Sequence, residues 1–135
     1  MLYIAFSHHF KLYLAHYFCY FLHIIVDSIH FESLVVRDLR IYAQALGGKL
    51  FHYRDSTGLE ADAIIHLVDG RWGLIEVKLG TDSIDTAAAN LIKLKEKIDT
   101  NKMHEPSFLM IVTGTEFAYR RNDGVLVVPI GCLKN

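Results

Sequence analysis

The spacing of apolar residues along the chain predicts two helices and five short strands. Residues 31–46 and 86–98 each carry apolar side chains at helical spacing, with polar side chains on the opposite side. Gly47-Gly48 is a typical helix stop. Five apolar runs bounded by turn residues predict strands, which are residues 49–53, 60–67, 72–79, 108–112 and 125–130.

The element order αβββαββ predicts a mixed α/β domain. The strand at 72–79, the helix at 86–98 and the strand at 108–112 form a crossover unit. Its two strands should be parallel and its connection right-handed. We therefore expect a central mixed sheet with helices on both faces.

The turn between the second and third strands decides which side chains meet. A three-residue connection, residues 68–70 with Gly70 left-handed, places Asp62 directly across from Glu76. A two-residue turn would instead pair Asp62 with Val77 and put the two acids on opposite faces. In the first register one face is wholly apolar and consists of Ala61, Ala63, Ile65, Leu67, Gly73, Ile75, Val77 and Leu79.

The first register brings two carboxylates together on one face of the hairpin. Two opposed carboxylates repel each other and raise each other's pKa unless a cation lies between them. Mg²⁺ favours carboxylate oxygens, so Asp62 and Glu76 are candidate metal ligands. Lys78 follows on the same face and could orient or help deprotonate a metal-bound water, as phosphodiester hydrolysis requires. The alternative is an ordinary Asp62–Lys78 salt bridge on a solvated face.

Glu32 is a further candidate, because it falls at the edge of the apolar stripe of the first helix. A carboxylate in that position needs a partner, since unpaired burial is costly. Two interpretations remain open. Glu32 either joins the metal cluster or lies near the helix start, where negative charge is favoured.

The composition and the charge of the chain change at residue 30. Residues 1–30 hold half of the aromatic residues and five of the eight histidines, but only Lys11 and Asp27 as charged residues. The net charge of −1 gives no global attraction to nucleic acid, so phosphate contacts must come from a local patch. Cys19 and Cys132 are too few for a disulfide framework or a zinc site, which favours a cytoplasmic protein.

These differences predict two segments, an apolar aromatic leader (1–30) and a domain (31–135). The run 10–26 is nearly all apolar and has no small-residue cleavage site of a secretory signal. Three interpretations are open for it: a membrane anchor, a buried or partner-facing helix, and a start unrelated to the domain, from truncation or a frame shift.

Several motifs of the domain resemble a known family. They are Phe31-Glu32-Ser33, Tyr53-Arg54-Asp55 with Gly58, Glu60-Ala61-Asp62, Ile75-Glu76-Val77-Lys78-Leu79, Tyr119-Arg120-Arg121, Asp123-Gly124-Val125 and Val128-Pro129-Ile130-Gly131. Together they resemble a domain of unknown function found C-terminal to bacterial and archaeal AAA-type ATPases. That domain is similar to the PD-(D/E)xK nuclease superfamily.

The resemblance implies a restriction-endonuclease-like core with its catalytic site at Glu32, Asp62, Glu76 and Lys78. The expected function is a Mg²⁺-dependent phosphodiesterase acting on nucleic acid, DNA in preference to RNA. The alternative is a non-catalytic module that binds nucleic acid or protein. In the family's usual architecture an ATPase module precedes the domain. We therefore expect this chain to be a fragment of an ATPase-linked protein, with such a module as a partner in trans. Membrane contact through residues 10–26 is a further expectation.

Overall fold

The computed structural model describes the backbone of residues 3–133 and the side chains of residues 18–133. The chain divides into two compact units, Met1–His30 and Phe31–Asn135, and each is considered by itself. Helix α1 runs from Tyr3 to Ala45, so the predicted helix start at Phe31 is wrong. Residues 3–30 contain neither glycine nor proline, and nothing in the local sequence therefore ends the helix before the domain. The predicted stop is confirmed, because Gly47 has a positive φ of 71° directly after α1.

The first unit is helical wherever the structure describes it, and its side chains from Phe18 onward are largely exposed. Phe18–Ala45 contains an 18-residue window with a mean hydropathy of 1.4, which by length and composition alone suffices to cross a membrane. The side chains of residues 10–17, which belong to the predicted apolar run, lie outside those described.

The second unit contains one six-stranded mixed sheet and helix α2. The elements are β1 Lys49–Arg54, β2 Glu60–His66, β3 Trp72–Lys78, α2 Ile84–Lys97, β4 Phe108–Thr113, β5 Tyr119–Arg120, β6 Leu126–Pro129 and a short 3-10 helix Ile130–Cys132. The strand order is β1-β2-β3-β4-β6-β5. Strands β3, β4 and β6 are parallel, which confirms the predicted parallel crossover, and the other pairs are antiparallel. The sequence analysis missed β5, whose two residues are too short for a periodic pattern.

Alternate residues of β3 contribute to two separate cores. Leu74 packs with Leu91 of α2 and with Ile111 of β4. Ile75 packs in the other core with Val35, from the part of α1 inside the domain. Since neighbouring residues of a strand point to opposite faces, the sheet has a helix on each face, as predicted.

The β2–β3 hairpin has the three-residue register. Gly70 is left-handed with φ 87°, and the ladder pairs Ala63 with Ile75. One expectation is wrong, because Ala61 lies in the core of α2 rather than on the face of Ala63. The cause is a bulge between β1 and β2, where His52 alone stands opposite two residues of β2. An extra residue breaks the alternation of faces and re-aims the side chains beside it.

Candidate active site

Three of the four predicted site residues come together near the carboxyl end of β3. The Nζ atom of Lys78 lies 2.7 Å from Oε2 of Glu76 and 3.8 Å from Oδ2 of Asp62. Both acids are buried, with 2% of Glu76 and 8% of Asp62 exposed. The arrangement is therefore a pair of buried carboxylates that share one ammonium group.

The bulge in β2 is what places the carboxylate of Asp62. The Leu67 N–H donates to the carbonyl of Arg71, and in a regular antiparallel ladder every second pair repeats that bond. If β2 were regular, Ala61 and Val77 would therefore form a hydrogen-bonded pair, and the Val77 N–H would donate to the carbonyl of Ala61. It donates instead to Oδ2 of Asp62, at 2.7 Å. The carboxylate of Asp62 thus replaces a backbone carbonyl, which fixes its position relative to β3.

Burial disfavours the charged form of Glu76. The pKa of this carboxyl is raised to about 7, mainly by loss of hydration; the negative charge of Asp62 adds to the rise, and the hydrogen bond from Lys78 opposes it. The Oε1 atom of Glu76 is buried and has no hydrogen-bond partner among the described residues. Leaving a buried acceptor unpaired is costly. Glu76 is accordingly a group that gains from binding a proton or a cation.

The environment of Lys78 favours its charged form, whereas that of Glu76 disfavours the charged form. Burial alone would lower its pKa, but the hydrogen bond to Glu76 and the charge of Asp62 outweigh that effect, and the pKa is raised. An amine that stays protonated at neutral pH donates hydrogen bonds and does not accept a proton. Of the two roles expected for Lys78, the raised pKa is therefore more compatible with orienting a water or a phosphate than with deprotonating a water.

Glu32 lies in the middle of α1, so the interpretation that it stabilises a helix start is wrong. Its side chain is exposed. Even so, partial burial of the carboxyl raises its pKa, the charge of Asp62 adds to the rise, and Lys78 opposes it. The charges of Asp62 and Lys78 therefore reach Glu32, but no hydrogen bond between described residues joins it to the other three site residues.

A divalent ion fits the two buried acids only in part. Among the described residues, no group of three or more His, Cys, Asp or Glu side chains is arranged to hold a metal. Mg²⁺, however, is usually bound by one or two carboxylates together with waters and substrate phosphates. The unpaired Oε1 of Glu76 is the kind of oxygen that such an ion takes. Asp62 and Glu76 can thus supply the protein ligands of an ion whose other ligands are not side chains.

Comparison with known families identifies the family of the domain. The family model described as Domain of unknown function (DUF4143) matches residues 29–133. The chain belongs to this family. No curated protein and no solved structure matches the chain. The predicted resemblance to a domain of unknown function is confirmed, and all four candidate residues fall within the matched part of the chain.

The DUF4143 domain has a polar residue at this site that the sequence analysis missed. Thr113 ends β4, is completely buried, and is the partner of Lys78 in the parallel β3–β4 ladder. The available signal was a threonine at the end of an otherwise apolar strand. That signal alone does not reveal which residue lies beside it, because strand pairing is not written in the local sequence.

Proposed function

We propose that the domain is a Mg²⁺-dependent phosphodiester hydrolase with a restriction-endonuclease-like core, acting on nucleic acid and on DNA in preference to RNA. One observation carries the proposal. Two buried carboxylates and a lysine converge at one end of the sheet, and Oε1 of Glu76 has no hydrogen-bond partner among the described residues. Carboxylates repel a negatively charged phosphate, and a cation bound between them offsets that charge.

Each residue has a role in this proposal. Asp62 and Glu76 would hold the ion, which when bound supplies Lewis acidity for attack on a phosphodiester. Lys78 donates hydrogen bonds to a phosphate oxygen or to the attacking water. Glu32 is an accessory acid, since its raised pKa lets it hold a proton more readily than an ordinary glutamate.

Metal binding in this site should depend on pH. Ligand carboxylates must be deprotonated before they bind an ion. The pKa of Glu76 is about 7 without metal. Affinity for Mg²⁺ should therefore rise with pH through neutrality, as Glu76 loses its proton.

A second candidate function is a non-catalytic module that binds nucleic acid or an ATPase partner. Two observations favour it. Lys78 already neutralises charge at Glu76 and Asp62 without any ion, and the described residues offer no third ligand. A trio of this kind is a self-contained ion-pair cluster, which a structural role would explain.

Thermal melts with and without Mg²⁺ test for the metal. Because an ion that binds only the folded state stabilises it, the melting temperature of the wild type should rise with Mg²⁺. Asp62→Asn should be neutral or stabilising without metal, since it relieves repulsion and keeps an oxygen for the Val77 N–H. In Mg²⁺ the same variant should melt below the wild type. An identical response to Mg²⁺ in both proteins would count against a metal site.

Cleavage assays separate the two candidate functions. A labelled oligonucleotide duplex should be cut by the wild type in Mg²⁺ and not in EDTA, and Glu76→Gln should lower the rate by about a hundredfold or more. Glu105→Gln is the matched control, because Glu105 is an exposed acid that precedes the amino end of β4 and pairs with Lys95. Binding without cleavage by the wild type would favour the non-catalytic module.

A further inference from the structure

The loop after β4 lies directly beside the candidate active site. Thr113 pairs with Lys78 and Ile111 pairs with Glu76 in the β3–β4 ladder. Paired residues of neighbouring strands share a face of the sheet, and residues two apart along one strand share it too. Thr113 therefore lies on the same face as Glu76 and Lys78, one strand spacing from Lys78.

Backbone contacts hold this loop in place. The Gly114 N–H donates to the carbonyl of Leu79 at 3.1 Å, which ties the loop to the residue after Lys78. A Cβ atom on Gly114 would lie 2.9 Å from that carbonyl oxygen, a contact too close for any side chain. Residues 113–115 are thus fixed relative to the end of β3, and so are their hydroxyl groups.

The burial of Thr113 determines where the hydroxyl protons point. Its Oγ1 lies 2.7 Å from Oγ1 of Thr115 and accepts a long bond, 3.4 Å, from the Thr115 N–H. The described residues offer the Thr113 proton no acceptor other than the Thr115 oxygen. If Thr115 were the donor, the proton of a fully buried hydroxyl would be unpaired, which is costly. Thr113 therefore donates, and the proton of the half-buried Thr115 hydroxyl is left available.

We propose that the Thr115 hydroxyl binds a non-bridging phosphate oxygen of the nucleic-acid strand held at this site, and that Thr113 is its positioning residue. The inference rests on the proposed function and names a substrate contact for it. An available hydroxyl proton suits an anionic oxygen, as the ammonium of Lys78 does, since both groups donate. Base edges are a weaker match, because they present donors as well as acceptors.

The experiment compares Thr115→Val and Thr115→Ser in cleavage of a duplex in Mg²⁺. Loss of a hydrogen bond to a charged oxygen should lower kcat/KM of Thr115→Val by about tenfold, mostly through KM, whereas Thr115→Ser should stay near wild type. Thr113→Val should show part of the same loss, because it no longer orients Thr115. Thr100→Val, on an exposed turn distant in sequence from the site, is the control.

A phosphate-specific measurement distinguishes contact from a structural effect. Duplexes carrying one neutral methylphosphonate at successive positions are cleaved by wild type and Thr115→Val. When the methylphosphonate replaces the contacted phosphate, wild type and Thr115→Val should cleave the duplex equally well, since the anionic oxygen is gone. At every other position the tenfold difference in cleavage between the two proteins should persist. A gap that persists at every position overturns the inference. So does equal cleavage of the unmodified duplex by wild type and Thr115→Val, which leaves the proposed function intact. A wild type without any Mg²⁺-dependent cleavage overturns both.

Discussion

The two units of the chain place the same kind of side chain in opposite environments. In the first unit Phe18 is 64% exposed, and Phe21 and Ile29 are also more than half exposed. In the second unit Leu74 and Ile111 are fully buried. The difference shows that apolar composition alone does not produce burial. A segment also needs a partner whose surface matches the arrangement of its apolar residues.

The arrangement differs between the two parts of α1. Within the domain, Val35, Leu39 and Ala43 recur every four residues and form one buried stripe. In residues 18–30 the exposed large apolar side chains cover about two-thirds of the helix circumference at 100° per residue. His23, Asp27 and His30 occupy the remaining third. A surface of that width exceeds what one sheet face covers and suits a bilayer or a larger protein core. Membrane association through residues 10–26 stays a prediction.

A matched pair of leucine truncations should show the contrast most strongly. Leu91 is fully buried in the core of α2, and Leu22 is 46% exposed in the first unit. We expect Leu91→Ala to lower the free energy of unfolding by about 2–5 kcal/mol, because it leaves a cavity. Leu22→Ala should change it by less than about 0.5 kcal/mol. Urea denaturation measures both, and equal losses would mean that Leu22 is buried in solution.

Buried and exposed carboxylates should also differ in how strongly they make the stability of the protein depend on pH. Glu76 has an ordinary pKa of 4.5 when unfolded and about 7 when folded. Between these values the folded state binds more protons, so stability should fall as the pH rises through this window. The loss between pH 5 and pH 8 should be about 2–3 kcal/mol.

The measurement is urea denaturation at both pH values without divalent ions. Glu76→Gln should remove most of the loss. Asp27→Asn is the control in the first unit, because its ion pair with His23 is exposed and such pairs contribute little. If Glu76→Gln retains the wild-type pH dependence, Glu76 does not titrate in this range.

Removal of the first unit should have the smallest effect on domain stability. The sheet buries one face under α2 and the other under residues of α1 within the domain, such as Val35 and Leu39. A chain that begins at Ser28 should therefore keep a cooperative melt with nearly unchanged unfolding free energy, and it should be at least as soluble as the full chain. Thermal melts and sedimentation of both chains test this. Loss of cooperative folding would show that the domain needs residues 1–27.

Much of the domain could be predicted from its sequence because the determining features are local. Periodicity located both helices and five of the six strands, since each pattern reports which face of an element is buried. Gly70 allowed the three-residue hairpin connection, which needs a left-handed residue at that position, but a two-residue Asp69-Gly70 turn was also compatible with the sequence. The three-residue register, together with the bulge in β2, brought Asp62, Glu76 and Lys78 together.

The remaining features depend on partners that are distant in sequence. Tertiary structure alone put Ala61 in the core of α2, because a bulge exists only between two paired strands. It alone set Thr113 beside Lys78, buried Glu76 and left its Oε1 atom without a partner in the described part of the chain. The sequence by itself determined which elements form and which acids share a hairpin. Their burial, and with it the raised pKa of Glu76, was decided by the packing of other elements around them, since hydration is lost only when those elements exclude water.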